Sequence, residues 1–218
     1  PDVPDQMSLL SVGGSGYRVL TRRRQGEGSR ERWAHAYLEN DKCSSGTGEN
    51  MIRIADRFGM TLKRADALAL RADEAVPITA RCSVFTKSEM THHANEGRGA
   101  AELFAGYFAS VAHNAHALLV RAGGQGPVWI VGGVARSGAF IRALTHKAGR
   151  EVFRPEHFLC FEALGAALLC ADGLAAGAEP PSLPADPLSL IKVRPRRFEV
   201  LNPASASAHR VTLLEATD

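Results

Sequence analysis

The chain has 218 residues, 45% of them apolar, with 26 Lys+Arg against 23 Asp+Glu for a formal charge of +3. That length buries a sizeable core and that apolar share excludes wholesale disorder, which leaves one large or two small domains. A charge this small excludes a nucleic-acid stripe: Arg22-Arg23-Arg24 and Arg194, Arg196 and Arg197 lack interleaved aromatics and read as solvated strand ends or linker.

No apolar run approaches the ~20 residues that span a bilayer, and no charged segment leads into an apolar one at the amino end. A cytoplasmic chain with no membrane role is therefore expected. Pro1 in place of Met reads as a cut from a longer polypeptide. Four cysteines, at 43, 82, 160 and 170, form no CxxC and are too sparse for a disulfide framework.

Residues 7–12 (MSLLSV) stop at Gly13-Gly14, and residues 17–21 (YRVLT) alternate before the arginines, which predicts strand, glycine turn, strand. From Thr47 the period becomes helical, with Met51, Ile54, Ala55 and Phe58 on one face and Gly59 closing the helix; Leu62, Ala65, Leu68, Ala69 and Ala72 repeat the pattern after Thr61. Residues 77–85 read as extended, with a helix from Ser88 that Gly97 interrupts. A long packing helix from about 98 to 122 carries Ala101, Phe104, Phe108, Val111, Ala115, Leu118 and Leu119 on one stripe.

A glycine turn then feeds a buried strand, residues 127–131 (PVWIV), ending in Gly132-Gly133. Residues 137–148 read as a helix, 151–154 as a strand and 161–174 as an alanine-rich helix. This is α/β grammar, a parallel or mixed sheet covered by helices. Residues 177–195 form a Pro-rich linker, and 196–218 a β tail with strands at 196–201 and 210–214.

Each glycine pair follows an apolar strand, where the backbone can approach a phosphate without Cβ interference, and a helix after Gly133 would point its positive end there. Neither pair forms a Walker loop or a GxGxxG, and a tight turn explains either one alone. Cys43 and Cys82 each precede a predicted helix start. Two such thiols are either unrelated or half of a four-thiolate site completed by a second copy of the chain on a two-fold axis. Cys160 and Cys170 read as core residues, and His92-His93, His113 and His116 as ordinary surface or core histidines.

Residues 40–50 (NDKCSSGTGEN), 81–90 (RCSVFTKSEM), 131–136 (VGGVAR) and 162–169 (EALGAALL) occur in an order and spacing that resembles the activator family. That family comprises the ATPases that activate 2-hydroxyacyl-CoA dehydratases and the related ATPase subunits of benzoyl-CoA reductase. The resemblance covers residues 7–174 and implies an actin-like, sugar-kinase-like (ribonuclease H-like) ATPase lobe, residues 1–176, with inserted helices. It implies a homodimer bridged by one [4Fe-4S] cluster, with Cys43 and Cys82 as this chain's ligands. It also implies ATP/ADP with Mg²⁺ near Gly13, Gly14, Gly132 and Gly133, and delivery of one low-potential electron to an acyl-CoA dehydratase- or reductase-type partner.

The resemblance fails at one motif. Where the family has Asp-x-Gly-Gly-Gln-Asp-x-Lys, this chain has Ser11-Val12-Gly13-Gly14-Ser15-Gly16-Tyr17-Arg18. Both acids that would hold Mg²⁺ through its waters or orient the attacking water are gone, so hydrolysis by this chain alone is not expected. No counterpart of the family's opening lobe precedes Met7. Two other readings follow: a sugar-kinase-like lobe with incidental thiols, or a docking or dimerisation module that kept the fold without the chemistry.

Overall fold

The computed structural model describes residues 5–14, 16–26, 32–40, 48–79, 82–180, 182 and 184–191. The chain divides into two units, Pro1–Ala171 and Asp172–Asp218. The Cys43 block at 41–47 and the expected tail strands lie outside the described residues.

The first unit is built on a mixed five-stranded sheet in the order β3-β2-β1-β4-β5. Strands β1 (Gln6–Val12), β2 (Tyr17–Gln25) and β3 (Arg32–Glu39) form an antiparallel meander, while β4 (Val128–Val131) and β5 (Val152–Phe153) add on parallel to β1. The period-2 pattern explains which face is buried. Ser8, Leu10 and Val12 of β1, Tyr17, Val19 and Thr21 of β2, and Val128 and Ile130 of β4 all turn inward.

Four helices separate β3 from β4: α1 (Gly48–Arg57), α2 (Leu62–Ala69), α3 (Ser83–Asn95) and α4 (Ala100–Arg121). Helix α5 (Gly138–Ala148) follows β4, and α6 (Phe161–Ala175) follows β5. Leu103, Phe104, Tyr107, Phe108, Val111, Leu118 and Leu119 bury one side of α4 in the core beside Phe140 and Leu144 of α5, and Phe58 meets Phe104 edge-on at 5.6 Å. At 22 residues α4 is long and apolar enough to cross a membrane by composition alone, contrary to the reading that no run approaches that length; 61% of its apolar window is buried inside the protein. Residues 76–79 run extended across α4 at Gly106, where a Cβ would stand 1.8 Å from the Val76 carbonyl oxygen.

Three elements differ from the sequence reading. Strand β2 continues through the arginines, because Arg22 and Arg24 lie over the Trp33 ring at 3.6 and 5.4 Å to its centroid, so an aromatic does accompany that basic run. Strand β3 was not foreseen: both its faces are partly exposed, so no apolar alternation marks it. Helix α3 begins at Ser83 rather than Ser88, since Thr86 turns back to bond the Cys82 carbonyl through both its N–H and its hydroxyl at 2.9 Å.

Candidate functional site

Because β1 and β4 are adjacent and parallel, with Ser11 opposite Val131, the two glycine pairs leave the sheet side by side at the carboxyl ends of the strands. Gly132 has φ +92°, and a Cβ there would stand 2.4 Å from the Val12 carbonyl oxygen, so the second turn seats directly on the end of β1. A Cβ at Gly14 or Gly133 would meet nothing within 4 Å, which makes these the open side of the turns. Gly48 closes the floor. Its N–H donates to the Gly13 carbonyl at 2.9 Å, Glu49 N–H donates to the Gly14 carbonyl at 3.2 Å, and a Cβ on Gly48 would press on Gly13 and Val134 at 3.2 Å. The result is a cradle of main chain with little side-chain cover, the kind of surface that fits a phosphate chain.

The N-terminus of α5 does not serve that cradle. A 3-10 turn, Gly133–Arg136, intervenes after Gly132. The first N–H groups of α5 are then taken by side chains: Asp66 of α2 accepts from Ala139 N–H at 3.0 Å, Gly138 N–H at 3.3 Å and the Ser137 hydroxyl at 2.5 Å, and Ser137 accepts from Phe140 N–H at 3.0 Å. In return Arg142 of α5 donates to the carbonyls of Ala69 and Leu70 at 2.7 and 2.8 Å, capping α2. The two helices cap each other, and the expected use of this helix dipole at the glycine site is corrected accordingly.

Above the cradle, Ser11 leaves the sheet on the face opposite the core and donates to Glu162 Oε1 at 2.8 Å, linking β1 to the first turn of α6. Trp129 and Phe161 pack nearby with ring centroids 6.4 Å apart. Val131, Gly132, Phe158, Phe161 and Glu162 line a cleft of about 170 Å³. Arg18, registered opposite Ser11, is held by Glu39 at 2.7 Å; that hydrogen bond, with the charge of Glu39 and more distantly of Glu162, holds its guanidinium above the ordinary arginine range. Sequence reasoning missed both Glu162 and Gly48: a lone acid in an Ala/Leu helix carries no signal, whereas the Gly46-Thr47-Gly48 spacing marks a glycine worth testing.

Cys82 is the residue preceding α3. Its side chain makes no capping bond, it is half-buried, and Thr86 fixes its carbonyl while also donating to the Thr79 carbonyl at 2.9 Å. Val84 and Phe85, in the first turn of α3, are 64% and 70% exposed, an apolar surface that follows the thiol directly in the chain. A thiol with no capping bond, at a helix start beside apolar surface, fits a thiolate ligand position. Cys43 precedes α1 by five positions, outside the described residues. Cys160, just before α6, and Cys170, within it, are exposed rather than core; α6 buries none of its side chains. His92 and His93 reach the two oxygens of Glu96 at 3.1 and 2.8 Å, and the bond from His93 holds that carboxyl below the usual range. Among the described residues no three His, Cys, Asp or Glu side chains cluster as metal ligands.

The model of the BadF/BadG/BcrA/BcrD ATPase family matches residues 4–170. The 2-hydroxyisocaproyl-CoA dehydratase activator of Clostridioides difficile is 30% identical over 170 residues, 78% of this chain and 62% of that protein. The activator of lactoyl-CoA dehydratase of Anaerotignum propionicum is 29% identical over 166 residues, 76% of this chain and 62% of that protein. The chain thus spans less than two thirds of the length of these relatives. Among solved structures, the activator of the 2-hydroxyisocaproyl-CoA dehydratase from Clostridium difficile with bound ADPNP superposes with a TM-score of 0.68 at 28% identity, over 83% of this chain and 66% of that one. A xyloylose kinase from Brucella ovis superposes at 0.52 and 17% identity, over 81% of this chain and 40% of that one, a likeness of fold alone. The fold is the actin-like, sugar-kinase-like one.

Proposed function

We propose that this chain, which belongs to the BadF/BadG/BcrA/BcrD ATPase family, is the nucleotide-facing, cluster-bearing lobe of an ATP-dependent activator that passes one low-potential electron to an acyl-CoA dehydratase- or reductase-type partner. The observation that carries the reading is the bonded contact between the phosphate cradle and α1. Gly13 and Gly14 accept from the first two N–H groups of that helix, and the segment just before it carries Cys43. A nucleotide that moves the turn therefore pulls on the start of α1 and on the backbone leading to a candidate cluster ligand.

In this reading Gly13, Gly14, Gly132 and Gly133 line the nucleotide site, with Gly14 and Gly133 turned to the phosphates, because the N–H groups of Gly13 and Gly132 donate to the Gly16 and Phe158 carbonyls at 3.0 and 2.7 Å; Cys43 and Cys82 would hold the cluster across a homodimer. When bound, the [4Fe-4S] cluster supplies one-electron chemistry at low potential. Val84 and Phe85 exclude water from the Cys82 side of that site once a second copy covers them. With Ser11 and Gly16 in place of the family's acids, the proposal for this turn is nucleotide binding. Residues 1–176 form the ATPase lobe, 177–195 a linker and 196–218 an appended β tail, in the cytoplasm.

Anaerobic reconstitution with iron and sulfide tests the reading. The expected product is coloured, with one cluster per two chains, and a Cys43→Ala, Cys82→Ala double variant stays colourless. A parent chain that takes up no iron overturns the cluster assignment.

A further inference from the structure

We propose that Glu162 supplies the carboxylate that the first glycine turn lacks, and that with Ser11 it holds the divalent cation of a bound nucleotide through the cation's waters. The inference rests on the nucleotide reading above and adds an acid to it.

The position of Ser11 fixes the place. It is the last residue but one of β1, only Val12 separates it from Gly13-Gly14, and it lies beside Val131, the residue before Gly132. A cation bridging phosphates in the glycine cradle would sit over this corner, where the strand ends and both turns begin. The glycine turn itself carries no carboxylate, with Ser11 and Gly16 at the two acid positions. The fold returns one, because the first turn of α6 crosses from 151 positions away and sets Glu162 Oε1 2.8 Å from Ser11 Oγ.

The bonding partners favour a cation over a mere structural tie. A hydroxyl donor fixes a carboxylate without cancelling its charge. The nearby cation that could cancel it, Arg18, is engaged by Glu39 at 2.7 Å and is itself 45% exposed. Glu162 and Ser11 are both oxygen donors, the set that a hard divalent cation and its water shell accept. Phe158, Phe161 and the backbone of Gly132 line the same cleft as Glu162, and Glu162 itself is exposed, so a hydrated cation can reach its carboxylate from solvent.

The competing role is structural. An acid in the first turn of a helix favours the helix dipole whether or not any nucleotide is present. Titration of the full chain with a fluorescent ADP analogue, with Mg²⁺ and with EDTA, separates the two. In the parent, Mg²⁺ tightens the nucleotide by roughly tenfold, within the usual range of coupling between two ligands. In Glu162→Gln the enhancement falls below about twofold, and Mg²⁺-free affinity holds or rises, because a carboxylate without its cation repels phosphate. Adding Ser11→Asp to Glu162→Gln restores the enhancement by placing a carboxylate at the corner again.

A Glu162→Gln variant that keeps the full Mg²⁺ enhancement overturns the proposal, as does a parent that binds nucleotide with no Mg²⁺ dependence. A parent that binds no nucleotide in either condition removes the nucleotide reading itself, a different result that takes this inference with it.

Discussion

Gly132 and Gly133 are neighbours in sequence with opposite demands on a side chain. At Gly132, φ is +92° and ψ 176°, a region that L-residues avoid, and a Cβ would lie 2.4 Å from the Val12 carbonyl. Gly132→Ala should therefore cost at least ~2 kcal/mol in chemical denaturation, the sum of backbone strain and a clash with main chain that cannot move aside. At Gly133 a Cβ meets nothing within 4 Å, so Gly133→Ala should stay within ~0.5 kcal/mol of the parent. The same methyl would narrow the open side of the cradle, and nucleotide affinity in Gly133→Ala should drop several-fold while stability holds. Equal losses of stability in both variants would show that the two glycines serve packing alone. The sequence singled out both residues for one reason; only the backbone angles separate a structural glycine from a ligand-facing one.

At the scale of elements, α4 and α6 are opposites. Helix α4 is buried along its stripe, and its outer side carries His116. Burial first, then the charges of Arg150, Lys147 and His113, hold that imidazole below its ordinary 6.5. A depressed folded pKa means that the unfolded chain takes up the proton more readily. Its contribution to stability is therefore complete above the unfolded value and is lost as pH falls through and below it. His116→Gln should narrow the gap in denaturant midpoint between about pH 7.5 and about pH 5.5; an unchanged gap would assign the acid sensitivity to other groups.

Helix α6 buries nothing, and Leu169 is 74% exposed. Leu169→Ala should change stability by under ~0.5 kcal/mol, whereas Phe104→Ala of α4 should cost ~3–5 kcal/mol. Cys160 and Cys170 should react with a thiol reagent in the native protein. The sequence misplaced those two thiols because an apolar helical pattern states what a helix prefers to bury, not whether a neighbour is present to cover it. It located the α4 stripe, the β1 and β4 strands and the helix starts after Thr61 and at about Ser137, since each has a periodic or local signature. It missed β3, whose mixed faces carry no period, and the Asp66–Ser137 bond, which joins residues 71 positions apart.

At the scale of the whole molecule, the sequence placed both glycine pairs at strand ends and Cys82 before a helix, because a strand followed by glycine and a thiol before a helix are local features. It could not place Glu162 at Ser11, which depends on the first turn of α6 reaching the end of β1 from 151 positions away. The same limit applies to assembly: in the proposed reading Cys43 and Cys82 supply two ligands of a four-thiolate site, and the other pair would come from a second copy. Cluster loading and dimer formation should then be one equilibrium, since each chain alone leaves two coordination positions open. Light scattering after anaerobic size exclusion should show the reconstituted chain at twice the mass of the iron-free chain. Cys82→Ser should remain at the monomer mass under the same reconstitution. Phe85→Glu should also shift the loaded chain toward monomer, because it puts a charge into the apolar surface that the second copy has to cover. A loaded chain that stays monomeric with full iron content would place all four ligands within one copy and refute the shared site.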